Sequence, residues 1–227
     1  MATYVLVHGA WGCAWNYRLT AKDLRAAGQD VHVVALTGLG DRKHLASPAI
    51  DLSLHIKDVM GVLELYDLQE IILVGHSYGG MVVTGVSAIA AERIRSLVYI
   101  DAFVPKDGQS LWDLADEAAR THFISAQREH PGLVDPLPQP PGAPPRPLSP
   151  QPFATLLEPV RLTGAEQRIS RRTYIYADGG TPTIFDQFRD SLRDDPAWKF
   201  LSLKGGHILM IDNRDGVLSA LLEEAER

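Results

Sequence analysis

Short runs of apolar, mostly β-branched residues alternate along the chain with longer segments whose apolar positions recur at helical spacing. Tyr4–Val7, Val31–Ala35, Ile71–Val74, Leu97–Ile100, Thr173–Ala177 and Phe200–Leu203 read as strands buried on both faces. Trp15–Ala27 reads as a helix stopped by Gly28, a residue suited to the left-handed position after a helix end. Ser53 is the expected cap of a helix that places Ile56, Val59, Met60 and Leu63 on one face. Further helices are expected after Ser77, over about Pro182–Leu192 and over about Val217–Ala225. Strands separated by helices imply an α/β fold, with a mainly parallel sheet of about six strands covered on both sides.

The alternation stops between Val104 and about Arg168, where no strand is expected and Pro131–Pro152 is dense in proline. Only two strands and two helices follow, too few for an independent domain. The pattern therefore predicts one domain, with a core of residues 1–103 and 169–227 and a cap insertion of about 104–168. Such an excursion belongs over the carboxyl ends of the strands, where α/β sheets bind ligands. It offers Phe103, Leu111, Trp112, Leu114, Phe123, Phe153, Leu156 and Leu157 for a mostly apolar pocket, and Asp107, Asp113, Asp116 and Glu117 for a solvated face.

Composition narrows the possibilities. A chain of 227 residues buries enough surface to need no disulfide or metal staple. Its net charge of −6 argues against a nucleic-acid or anionic-membrane partner. Cys13 is the only cysteine, so neither an internal disulfide nor a cysteine zinc cluster can form. Thr3-Tyr4-Val5-Leu6-Val7 follows no basic stretch, long apolar run or cleavage site, so the expected location is cytoplasmic.

The candidate chemistry begins at Ile71-Ile72-Leu73-Val74-Gly75-His76-Ser77-Tyr78-Gly79-Gly80: a strand, then Gly-x-Ser-x-Gly, then a helix. A serine on so tight a turn is pushed out above the sheet, and side chains at Gly75 or Gly79 would strike the neighbouring strand and helix. The helix N-terminus behind Ser77 favours a developing negative charge. A nucleophilic serine needs a general base. Of eight histidines, only His207 lies on a glycine-rich loop after the last strand, in Lys204-Gly205-Gly206-His207. His8 and His76 read as groups that shape the site, His32 as a strand residue, and His44, His55, His122 and His130 as surface residues. The oxyanion of an acyl-transfer intermediate needs backbone donors. Tyr78 N–H and Ala10 N–H, the latter in His8-Gly9-Ala10-Trp11-Gly12, are the candidates, and Trp11 and Cys13 belong near the site's mouth.

These motifs resemble the α/β-hydrolase superfamily. Val5-Leu6-Val7-His8-Gly9-Ala10-Trp11, the Ser77 segment and Ala102-Phe103-Val104-Pro105 resemble its plant methylesterase and hydroxynitrile lyase branch, with its small bacterial relatives. The resemblance covers most of the chain outside the cap. It implies Ser77 and His207 as catalytic residues, Ala10 and Tyr78 as oxyanion donors, and a sheet lacking two leading strands of larger members. Hydroxynitrile lyases of this branch carry a lysine directly after the catalytic histidine and a threonine in the oxyanion loop. Ile208 and Ala10 stand there instead, and without the lysine's charge a departing cyanide has no matched stabiliser.

The acid partner of His207 is open between two aspartates. Asp178 ends one strand near the usual family position, although an ungapped match falls on Gly180. Asp101 ends the preceding strand, and a carboxylate after four apolar residues is costly unless paired. Small bacterial relatives resemble this chain in keeping that aspartate, and Asp101 is preferred, with Asp178 the alternative. The expected function is hydrolysis of a small hydrophobic or aromatic carboxylic ester by a serine esterase, with Trp11, Phe103, Trp112 and Phe153 facing the substrate. No metal or organic cofactor is called for. A hydroxynitrile lyase, or a receptor of the same fold with little turnover, is the rival reading. The expected partner is the ester alone, with a homodimer covering the cap left open.

Overall fold

The computed structural model describes residues 1–137 and 145–227. Residues 138–144, the middle of the proline-dense stretch, lie outside the described residues. In chain order, β1 (Thr3–Val7) and α1 (Arg18–Ala26) lead to β2 (Asp30–Val34), and α2 (Leu52–Leu65) leads to β3 (Ile71–His76). Next come α3 (Gly79–Ile89) and β4 (Ile94–Ile100). An excursion then carries α4 (Leu111–Leu114), α5 (Glu117–Ala126), β5 (Leu133–Val134), β6 (Gln151–Pro152) and α6 (Ala154–Leu157). The chain returns to the sheet as β7 (Arg172–Asp178), followed by α7 (Asp186–Leu192), β8 (Lys199–Lys204), α8 (Leu209–Asp212) and α9 (Arg214–Glu226).

The main sheet has the order β2-β1-β3-β4-β7-β8, and every neighbouring pair in it is parallel. The alternation of side chains along each strand builds two cores. Val5, Val7, Leu73, Leu97 and Tyr99 face α2, α3 and the excursion. Tyr4, Leu6, Val74, Val98 and Ile100 face α1, α8 and α9. All of β3 is buried, which is why its sequence runs apolar without alternation. At about 1.5–3 kcal/mol for each fully buried large aliphatic side chain, this central strand anchors the platform on which Ser77 stands.

The joint between β4 and β7 is tied by polar groups at both ends, because it brings together strands separated by the whole excursion. Near the amino ends, the buried Glu224 carboxylate of α9 accepts from Ser96 Oγ (2.8 Å) and Thr173 Oγ1 (2.6 Å). The Arg227 guanidinium neutralises it at 2.8 Å. At the carboxyl ends, Asp101 N–H donates to Ile175 O (2.7 Å) and Asp101 Oδ1 accepts Ala177 N–H (3.1 Å).

Some local expectations need correction. A 3-10 turn, Ala14–Tyr17, precedes α1, so that helix begins later than its sequence pattern suggests. The cap of α2 is Asp51, whose extended backbone lets Oδ1 accept Leu54 N–H at 2.8 Å. Ser53 lies inside that helix and donates instead to Glu158 Oε1 at 2.6 Å. The helix expected from Pro182 starts at Asp186, because Thr183 first folds back to accept Phe185 N–H. The excursion, expected to hold no strand, contains the antiparallel β5–β6 pair. No helix among the described residues is long and apolar enough to cross a membrane.

Candidate active site

Ser77 sits between β3 and α3 with φ +54, a left-handed backbone that a residue with a side chain adopts only when its surroundings impose it. Three backbone bonds impose it here. Ser77 N–H donates to Ile100 O (3.3 Å), and Ser77 O accepts from Gly80 N–H (3.0 Å) and Phe103 N–H (3.2 Å). The flanking glycines make the turn sterically possible. A Cβ on Gly75 would lie 2.7 Å from Gly79 O, and one on Gly79 would lie 2.5 Å from Val7 O. Ser77 thus projects over the sheet beside the first turn of α3, where unpaired N–H groups and the helix dipole favour anionic charge.

His207, on the loop after β8, reaches the same cavity. Its Nδ1 lies 2.7 Å from Asp101 Oδ2, and Asp101 is 1% exposed. A carboxylate at Nδ1 places the ring proton there and leaves Nε2 with its lone pair toward the cavity. Asp178 lies elsewhere. It pairs with Lys204 on the surface, and that contact lowers its pKa. Among the described residues no hydrogen bond joins Ser77 Oγ to His207 Nε2; such contacts often tighten only with substrate bound.

Two further rings hold the His207 imidazole. Phe185 stacks on it at 4.7 Å and 13°, and the His76 ring lies 4.7 Å away at 37°. His76 Nε2 donates to His207 O at 2.9 Å, which fixes the main chain as well. Burial holds the His76 pKa well below its ordinary value, with the His207 ring adding to the shift, so His76 is a neutral donor beside His207.

Ala10 and Tyr78 both line the cavity. Among the described residues neither Ala10 N–H nor Tyr78 N–H has a protein acceptor, which leaves both free for an oxyanion. The Tyr78 side chain points the other way, into a buried polar layer. Its hydroxyl bonds His55 Nδ1 at 2.8 Å, and His55 Nε2 donates to Thr37 O at 2.9 Å. His55, expected at the surface, is fully buried, because its position in α2 faces Tyr78 rather than solvent. Burial raises the Tyr78 pKa and lowers that of His55, so the pair is neutral.

The cavity has a volume of about 420 Å³, and its wall is mainly apolar. Trp11, Phe103, Leu111, Phe123 and Leu156 are in that wall, as expected. Trp112 and Phe153, expected to face the substrate, are not. They pack edge to face on each other at 6.3 Å, and Trp112 contacts the back of Phe123. The reason lies in helical phase: α4 turns Leu111 inward, and the next residue points about 100° away. Leu114 also lies outside the wall, and Leu157 is 44% exposed. Ile184, Phe185 and Arg146 do line it; none lies in a motif or a helical period that would single it out. Ile208 occupies the wall where a lyase of the resembled branch would place its lysine. Cys13 is buried, and its thiol contacts Pro147 O at 3.6 Å.

A family model described as the alpha/beta hydrolase family matches residues 4–221. A carbendazim hydrolyzing esterase from a Nocardioides species is 42% identical over 229 residues, covering 93% of this chain and 95% of that protein. Among solved structures, an extracellular alpha/beta-hydrolase from a Paenibacillus species, described as sharing homology with tobacco salicylic acid binding protein 2, superposes with a TM-score of 0.85. It is 24% identical and is covered, like this chain, to 99%. A pyrethroid hydrolase from Sphingobium faniae superposes at 0.76 with 22% identity, over 99% of this chain and 97% of that one. At those identities the two structures speak to the fold alone: a six-stranded parallel sheet with helices on both faces.

Proposed function

The chain belongs to the alpha/beta hydrolase family, and we propose that within it this protein is a serine carboxylic ester hydrolase using Ser77, His207 and Asp101. The observation that carries this reading is the 2.7 Å contact of Asp101 with His207 Nδ1 beside a strained Ser77 in one cavity. In the proposed reaction, His207 Nε2 takes the Ser77 proton as Oγ attacks the ester carbonyl carbon. The carbonyl π electrons move onto oxygen, where Ala10 and Tyr78 N–H groups stabilise the charge. Collapse breaks the bond to the alcohol oxygen, which leaves with the proton from His207. Water, deprotonated by His207, then attacks the acyl-enzyme and releases the acid and free Ser77.

The wall of Trp11, Phe103, Phe123, Phe185 and aliphatic residues favours a small hydrophobic or aromatic ester over a charged one. The 42% identical relative acts on carbendazim by its name, which makes carbendazim a first compound to try. The reaction needs no metal or organic cofactor, and we place it in the cytoplasm. The test is an ester screen that includes carbendazim, run beside fluorophosphonate labelling and a Ser77→Ala control. Turnover and labelling that both vanish in Ser77→Ala are expected. An unlabelled, inactive parent would overturn the reading, and cyanide release from mandelonitrile would replace it with the lyase.

A further inference from the structure

Trp11 follows the oxyanion donor Ala10 and has φ +58, a second strained residue at the site. Its polar groups are all held by the excursion. Trp11 N–H donates to Gln151 Oε1 (3.0 Å), Trp11 O accepts from Ser149 N–H (2.9 Å), and the indole N–H donates to Val134 O (2.8 Å). Gln151 is fully buried, and its other amide atom, Nε2, donates to Thr155 Oγ1 at 2.7 Å. Thr155, also fully buried, donates its hydroxyl hydrogen bond to Pro152 O at 2.6 Å and lies beside the Tyr78 hydroxyl. One side-chain amide therefore stands between the residue after Ala10 and the side chain of Tyr78.

We propose that Gln151 is a positioning residue for the oxyanion hole: its Oε1 holds the Trp11 backbone in the left-handed turn that aims Ala10 N–H, while its Nε2 braces Thr155 against Tyr78. The proposal rests on the ester-hydrolase reading of the site. Physically, a left-handed residue with a side chain relaxes unless it is held from several sides. Release of the N–H bond lets the 10–11 peptide turn, and a donor displaced by a fraction of an ångström from the oxyanion loses most of its effect on the transition state. Substrate docking against the apolar wall is left intact, because Gln151 itself is not in the wall. The excursion then does more than select substrates, since it carries part of the frame of the catalytic step.

Gln151→Met keeps the volume and removes both amide bonds. Turnover of p-nitrophenyl acetate is measured for the parent, for Ser77→Ala and for Gln151→Met, with thermal melting to check folding. The expected result is a kcat lower by roughly 10–100-fold with KM within about threefold. Affinity for an aryl trifluoromethyl ketone, whose adduct with Ser77 puts an oxyanion in the hole, should weaken by a similar factor. The matching methyl ketone, which stays an uncharged ligand, should bind as before. A kcat within about threefold of the parent, or equal weakening of both ketones, overturns the proposal. A parent without Ser77-dependent turnover overturns the ester-hydrolase reading itself. Where Gln151→Met does not fold, Thr155→Val removes the acceptor of the Gln151 Nε2 bond without touching the cavity wall and is read in the same way: a kcat loss of at least about threefold supports the proposal, and an unchanged kcat overturns it.

Discussion

Asp101 Oδ2 lies 2.7 Å from His207 Nδ1, across 106 residues of chain, while Asp101 Oδ1 accepts the Ala177 N–H. One carboxylate thus orients the His207 ring with one oxygen and reads the register of β7 with the other. Its own backbone, at φ +41, is left-handed like that of Ser77 and Trp11. Asp101 and Ser77 directly follow β4 and β3, and Trp11 lies four residues beyond β1, so three adjacent strands each lead into a left-handed residue.

Asp101→Asn should lower kcat by roughly 10²–10⁴-fold, because an amide can donate where His207 Nδ1–H must donate, and the ring then presents the wrong tautomer. Asp178→Asn, at a surface pair with Lys204, should cost less than about tenfold. Steady-state kinetics of the two variants decides between the carboxylates: the reverse ranking returns the acid to Asp178.

Ser77→Ala should lower turnover by roughly 10⁴–10⁶-fold without loss of fold. Ser77→Gly should be equally inactive yet more stable than Ser77→Ala, by about 1 kcal/mol, because glycine relieves the φ +54 strain. Thermal unfolding of the two proteins measures the difference, and a less stable Ser77→Gly would mean that the turn is not strained.

Gly79→Ala should fail to fold, or lose about 3 kcal/mol or more, since its Cβ would stand 2.5 Å from the carbonyl of the fully buried Val7. Denaturant unfolding, or recovery in the soluble fraction, reports the outcome. A near-native midpoint would show that β1 can yield.

Stability should fall on mild acidification through His8. Burial pushes its pKa down to about 4, against about 6.5 in the unfolded chain. Between those values the unfolded chain binds the proton more tightly, so the contribution present at pH 7 is lost as pH falls. The loss from His8 by pH 5 is about 2 kcal/mol, and the lowered pKa values of His55 and His76 act in the same direction. Denaturant unfolding at pH 7, 6 and 5 should show a shallower decline in His8→Gln than in the parent. Equal slopes would mean that His8 titrates alike in the folded and unfolded states.

The sheet was legible because its strands are short apolar runs that no other element resembles, and Ser77 because the steric demand for glycine on both sides leaves a written trace. Contacts between distant side chains left none. Asp51 and Ser53 are both acceptable caps, and only the turn that precedes α2 decides for Asp51. His55 looks like any helical histidine until Tyr78 is found against it. Trp112 and Phe153 have the composition of a pocket wall, but a helix of four residues is too short to declare which side faces in. Gln151 sits among prolines with no periodicity, and its burial follows from β5 pairing with β6, a contact that no local pattern encodes.

The double tie across β4 and β7 also bears on the order in which the molecule assembles. β1, β3 and β4 lie within the first hundred residues, with β3 paired to both of the others, so the serine turn can form from nearby chain. The Asp101–Ala177 and Glu224 ties close only after the long excursion has been folded back, and closing so long a loop is slow. A refolding protein would then regain a shielded sheet, and a serine already at its apex, before it regains the contact between His207 and Asp101. Recovery of secondary structure ahead of recovery of turnover would be the kinetic signature of His207 reaching Asp101 only when the last joint closes.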